Sequence, residues 1–101
     1  MRLTTQQVTA IKQITAECFG DGALVYLFGS RLDDKHRGGD IDLLIETEQD
    51  DAAKVLEAKY NFLAKLKQRI GDQRIDVVVS YPARRRLPSI IAIAKRTGVR
   101  L

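Results

Sequence analysis

Asp40-Ile41-Asp42-Leu43-Leu44-Ile45 and, one helix later, Arg74-Ile75-Asp76-Val77-Val78-Val79-Ser80 decide how this 101-residue chain folds. Each stretch is a run of apolar, largely β-branched residues with an aspartate near its start. Between them, Asp50 or Asp51 can cap a helix whose inner face holds Val55, Leu56, Phe62, Leu63, Leu66 and Ile70, with Gly71 as its stop. Strand, helix and strand make one crossover unit. The two strands should therefore be parallel and their connection right-handed.

Upstream, Ala23-Leu24-Val25-Tyr26-Leu27-Phe28 is a continuous apolar run, as expected of a strand covered on both faces. About ten residues join it to Ile41, too few for a comfortable crossover helix, so this first strand should run antiparallel to the second. Before it, Val8, Ile11, Ile14 or Thr15, and Cys18 recur at helical spacing. A cap at Thr4 or Thr5 and a stop at Gly20 bound that helix. Downstream, Pro82 breaks the chain, and a last helix of about ten residues is expected from Pro88, burying Ile90, Ile91 and Ala94 and stopping at Gly98. The fold class is α/β, more closely α+β: a small mixed sheet of about three to four strands with helices packed against it. Residues 1–101 should form one domain.

With 45% hydrophobic and 30% charged residues, the composition is that of a soluble globular protein. A deep cleft enclosing a whole substrate is hard to build at this size, so an active site should be open on one side or completed by a partner. No apolar run approaches the roughly 20 residues of a membrane helix. The N-terminus enters a helical pattern without a signal-peptide core, so a cytoplasmic protein is expected. A single cysteine, Cys18, excludes an internal disulfide, and its place on an apolar helical face makes it a core residue, not a nucleophile. The net charge of +4 is uneven: residues 81–101 carry six basic residues and no acid, while the first 80 carry 11 basic against 13 acidic, net −2. A basic end of this kind can meet phosphate, nucleic acid or an acidic protein face, or be plain solvated surface.

Chemistry enters with the aspartates. Asp40 and Asp42 are two positions apart on a strand, so they point the same way, roughly 6.5 to 7 Å apart along the chain. Adjacent carboxylates repel, and each favours protonation unless a cation lies between them. A fold gains nothing from such a pair at the mouth of an apolar strand. Parallel pairing of the second and third strands brings Asp76 beside them. Three hard oxygen donors suit Mg²⁺ or Mn²⁺, which keep waters and bridge to substrate phosphates.

Antiparallel pairing of the first two strands also carries Gly29-Ser30 to this end of the sheet. Glycine lets backbone approach a ligand closely, and a serine opening a short helix offers a hydroxyl and free N–H groups to a phosphate. A phosphate cradle beside a metal site is what reaction at a nucleotide α-phosphate needs. Singly, Asp-x-Asp is common solvent-facing alternation and Gly-Ser is a turn; the information lies in the combination and its spacing.

Gly29-Ser30, nine residues, Asp40-Ile41-Asp42-Leu43 and a later strand bearing Asp76 together resemble the DNA polymerase β-like nucleotidyltransferase superfamily. The short length, the helix-first order and the closing Lys95-Arg96-Thr97-Gly98-Val99 are similar to the minimal nucleotidyltransferases, the MNT or MntA-type proteins. The resemblance implies that Asp40 and Asp42 hold the catalytic and nucleotide-bound metals. It implies that Asp76 supports the catalytic metal and accepts the proton of the attacking hydroxyl, and that Gly29 and Ser30 grip the triphosphate. The implied reaction moves AMP from ATP to an acceptor hydroxyl with release of pyrophosphate. The small relatives are commonly antitoxins that silence a HEPN-type RNase toxin by AMPylating a tyrosine on it, as in type VII-like toxin–antitoxin pairs. Such a partner would also supply the missing wall of an open site. Many relatives place serine before the first aspartate, where this chain has Gly38-Gly39.

Two readings of other classes stand beside this one. A binding module could neutralise its partner by steric cover alone, keeping idle aspartates. A nucleic-acid-binding domain could use the basic C-terminal stretch, including Arg84-Arg85-Arg86, with a steep salt dependence, although no aromatic is interleaved there for base stacking. The acceptor could also be an RNA end or a small molecule. Arg31 is placed to touch a phosphate, or to pair with Asp33 or Asp34 at the surface. His36 reads as an exposed loop residue, Tyr26 as core, and Tyr60 and Tyr81 as flanking a base or packing at the domain edge.

Overall fold

A computed structural model of the chain describes residues 3–29, 41–71, 73–82 and 98–101. These form two helices and a four-stranded mixed sheet. Helix α1 spans Thr5–Phe19, strand β1 Leu24–Phe28, β2 Ile41–Glu46, α2 Ala52–Ile70, β3 Ile75–Ser80 and β4 Val99–Arg100. The expected last helix and the segment joining β1 to β2 lie outside the described residues.

Local chemistry starts and stops the helices where the side chains allow it. Thr4 is the N-cap of α1: its hydroxyl accepts from the Gln7 N–H at 3.0 Å, and the Gln7 side chain accepts from the Thr4 N–H at 2.9 Å. This reciprocal capping box satisfies two donors that a helix start otherwise leaves unpaired. Asp51 caps α2, its carboxylate accepting from the Ala53 and Lys54 N–H groups at 2.9 and 3.3 Å. Both helices end on glycine, Gly20 at φ 97° and Gly71 at φ 93°. A side chain would be strained there.

The strand order is β3-β2-β1-β4. β1 and β2 are antiparallel and β2 and β3 parallel, as the connection lengths require. On one face, alternate residues Val25 and Leu27, Ile41, Leu43 and Ile45, and Ile75, Val77 and Val79 form one core with Ala10, Ile11 and Ile14 of α1 and Val55, Phe62 and Leu66 of α2. Phe62 is fully buried and packs on Phe19 with ring centroids 6.1 Å apart. The opposite face carries a smaller cluster of Phe28 and Leu44, flanked by Tyr26 and Val78. The β1 run is thus apolar on both faces, as its unbroken hydrophobicity implies.

Two features depart from the sequence expectation. Leu56, assigned to the inner face of α2, is 50% exposed. It follows Val55 by about 100° around the helix, beyond the narrow arc that Val55, Phe62 and Leu66 present to the sheet. The chain after Gly98 forms β4, which extends the sheet antiparallel to β1 with Tyr26 opposite Arg100 and Leu27 opposite Val99. A two-residue strand has no alternation to read, and only the free edge of β1 creates it.

Phe62→Ala should destabilise the protein by about 3–5 kcal/mol, since a fully buried ring leaves a cavity that the sheet and α1 cannot close. Urea unfolding measures this. Leu56→Ala, measured in the same way, should fall within about 1 kcal/mol of the parent protein, because its side chain is half in water already.

Candidate active site

The parallel register of β2 and β3 pairs Ile41 with Ile75, Asp42 with Asp76, and Leu43 with Val77. Asp42 and Asp76 are therefore direct neighbours across adjacent strands, about 4.8 Å apart in backbone spacing. Both lie second in their strands. Alternation turns them away from the core that α1 and α2 cover. Ile41 and Leu43, which flank Asp42, are fully buried on the helix side, and Ile75 and Val77, which flank Asp76, are buried in the same core. Asp42 is half-buried and Asp76 exposed.

The antiparallel register of β1 and β2 ends with Phe28 opposite Asp42. Gly29, the next residue, turns the chain at φ 80°. A Cβ built there would lie 3.1 Å from Asp42 Cγ and 3.3 Å from Asp42 Cβ. The end of β1 and the carboxylate of Asp42 thus occupy one crowded corner, and glycine alone leaves the carboxylate its room.

Of the residues expected to act, the fold brings Asp42, Asp76 and Gly29 to one end of the sheet. Asp40, Ser30 and Arg31 lie outside the described residues, as do His36, Gly38-Gly39 and Arg84-Arg85-Arg86. Among the described residues no three His, Cys, Asp or Glu side chains form a metal cage. Two carboxylates of hard oxygen character are nevertheless a donor set that Mg²⁺ accepts when substrate phosphates and water complete its shell. The residues present fit a divalent cation of that kind. Sequence reasoning placed Gly29 at this end as a phosphate-approach residue. It did not find the contact with Asp42, because the two are 13 positions apart and only strand pairing joins them.

A family model for the nucleotidyltransferase domain matches residues 8–100. The chain belongs to that family. The match takes in both helices' cores, all four strands and every residue assigned to the site. No curated protein matches the chain. For this nucleotidyltransferase domain, the mixed α+β sheet is the framework that the family shares. No helix of the described residues is long and apolar enough to cross a membrane.

Cys18 stands apart from this site. It is partly buried against the core and lines a cleft of about 420 Å³ with Phe19, Lys54 and Glu57, which neither Asp42 nor Asp76 borders. Burial pushes its thiol pKa up, with Glu17 adding to the rise and Lys65 opposing it. The neutral thiol is thus favoured in the folded protein, the opposite of what a nucleophile needs. Alkylation by iodoacetamide near pH 8 should be slower in the native protein than in the urea-unfolded chain. Equal rates would contradict the packing described.

Proposed function

We propose that this chain is a Mg²⁺-dependent protein adenylyltransferase that moves AMP from ATP to a tyrosine hydroxyl of a HEPN-type RNase toxin, and so acts as the antitoxin of the pair. The observation that supports it best is the register pairing of Asp42 with Asp76 beside Gly29, within a chain of the nucleotidyltransferase family. Two adjacent carboxylates repel, and this is tolerated where a cation is bound between them. Gly29, at the end of β1, would in this reading let the triphosphate of the nucleotide approach that cation.

In this reading Asp42 and Asp76, with Asp40, would hold the divalent metal. When bound, the metal neutralises charge on the triphosphate and lowers the barrier to attack at the α-phosphorus. Gly29, Ser30 and Arg31 bind the phosphates. The acceptor oxygen forms a bond to the α-phosphorus while the bond from that phosphorus to the bridging oxygen breaks, and pyrophosphate leaves with the electron pair. Asp76 takes the acceptor's proton. Its exposure suits that role, because the acceptor has to reach it from outside the domain. Paired carboxylates on a domain of this size make a site open on one side, and a partner protein carrying the acceptor tyrosine closes it. A cytoplasmic location accords with a partner that cleaves RNA.

The test is mass spectrometry of a HEPN-type protein incubated with this chain, ATP and Mg²⁺. The partner should gain one or more AMP units, the gain should vanish with EDTA, and Asp42→Ala and Asp76→Asn should reduce it to background. Protection from the toxin by Asp42→Ala as complete as by the parent protein, without mass gain in either, would replace the enzyme with a steric antitoxin.

A further inference from the structure

We propose that Gly29 is a positioning residue for the carboxylate of Asp42: the missing side chain of this glycine, and not only its phosphate-facing backbone, sets the metal-binding geometry. The inference deepens the metal-holding role proposed above and rests on it. The chain has three described glycines at positive φ: Gly20 at 97°, Gly29 at 80° and Gly71 at 93°. At Gly20 and Gly71 an added Cβ would meet nothing within 4 Å. Those two need glycine for backbone conformation alone. At Gly29 the same atom would press on the Asp42 side chain, 3.1 Å from Cγ and 3.3 Å from Cβ.

The two strand ladders limit how far the backbone can relieve that contact. Phe28 is held opposite Asp42 in the β1–β2 ladder, and Asp42 is held beside Asp76 in the β2–β3 ladder. Ile41 and Leu43, on either side of Asp42, are fully buried and anchor β2 from the helix side. The carboxylate of Asp42, whose Oδ2 lies nearest the added Cβ, would have to turn aside. Mg²⁺ demands near-ideal octahedral geometry, so a carboxylate turned aside would hold it less well. Gly29 therefore couples the turn after β1 to the metal ligand on β2 by direct contact.

The experiment is isothermal titration of Mn²⁺ alone into the full chain and into Gly29→Ala, Gly29→Asn and Gly71→Ala, with thermal unfolding of each. Asparagine tolerates positive φ better than alanine, so Gly29→Asn keeps the added Cβ with less backbone strain. Both Gly29 variants should bind Mn²⁺ about 10-fold to 100-fold more weakly, the range seen when a metal ligand's support is lost. Gly71→Ala should bind as the parent does while unfolding at a lower temperature. Gly29→Ala should lower the unfolding temperature more than Gly71→Ala does, and that excess should shrink in the Asp42→Ala background, where the Cβ contact remains but there is no carboxylate to displace. Parent-like Mn²⁺ affinity in both Gly29 variants, or an excess undiminished without the Asp42 carboxylate, would overturn the positioning role. Absence of Mn²⁺ binding by the parent chain would overturn the metal reading itself and the positioning role with it.

Discussion

The parallel pairing of β2 with β3 is the constraint on which the rest of this protein depends. One register does two jobs on two faces. On the helix side it stacks Ile41, Leu43 and Ile45 beside Ile75, Val77 and Val79 within the one large core. On the other side the same register sets Asp42 beside Asp76. A slip by one residue would turn the aspartates into the core and the isoleucines out of it. The hydrophobic effect on one face therefore enforces a pairing of like charges on the other that those charges would not choose.

The helices hold that register in place. α2 is the crossover itself, capped by Asp51 and closed at Gly71, so its length and its landing point on β3 are set by local hydrogen bonds. α1 packs beside it, and the two are tied at the surface by Arg69 donating to Gln13 at 3.1 Å and by Lys65 near Glu17 at 3.6 Å. These exposed contacts add little energy and serve mainly to orient the helices. The weight rests on Phe62, Leu66, Ile11 and Ile14, all fully buried between helices and sheet. Asp42 and Asp76 stand on the opposite face of the sheet from that core.

Gly29 shows how tightly that end is built. Two demands meet on one residue: a left-handed turn out of β1, and room for a carboxylate on the neighbouring strand. Either alone would favour glycine. On a small sheet there is little space to separate the two, so the turn out of β1 and a carboxylate of β2 share one contact.

Much of this was legible in the residues themselves. Periodicity and caps located both helices, because helical spacing and Thr, Asp and Gly at the ends act through near neighbours. The apolar runs located β1, β2 and β3, and connection lengths oriented them, because about ten residues cannot hold a crossover helix and a helix of the length of α2 can. The pattern Gly29-Ser30, Asp40-x-Asp42 and Asp76 resembled the nucleotidyltransferase superfamily, and the family match bears that resemblance out. Tertiary structure decided what depends on contacts between distant positions. The edge of β1 created β4 at Val99–Arg100, the narrow arc of α2 against the sheet left Leu56 half in water, and strand pairing pressed Gly29 against Asp42. None of these has a local signal, since each is set by which surfaces remain uncovered once the β2–β3 ladder and its helices have packed.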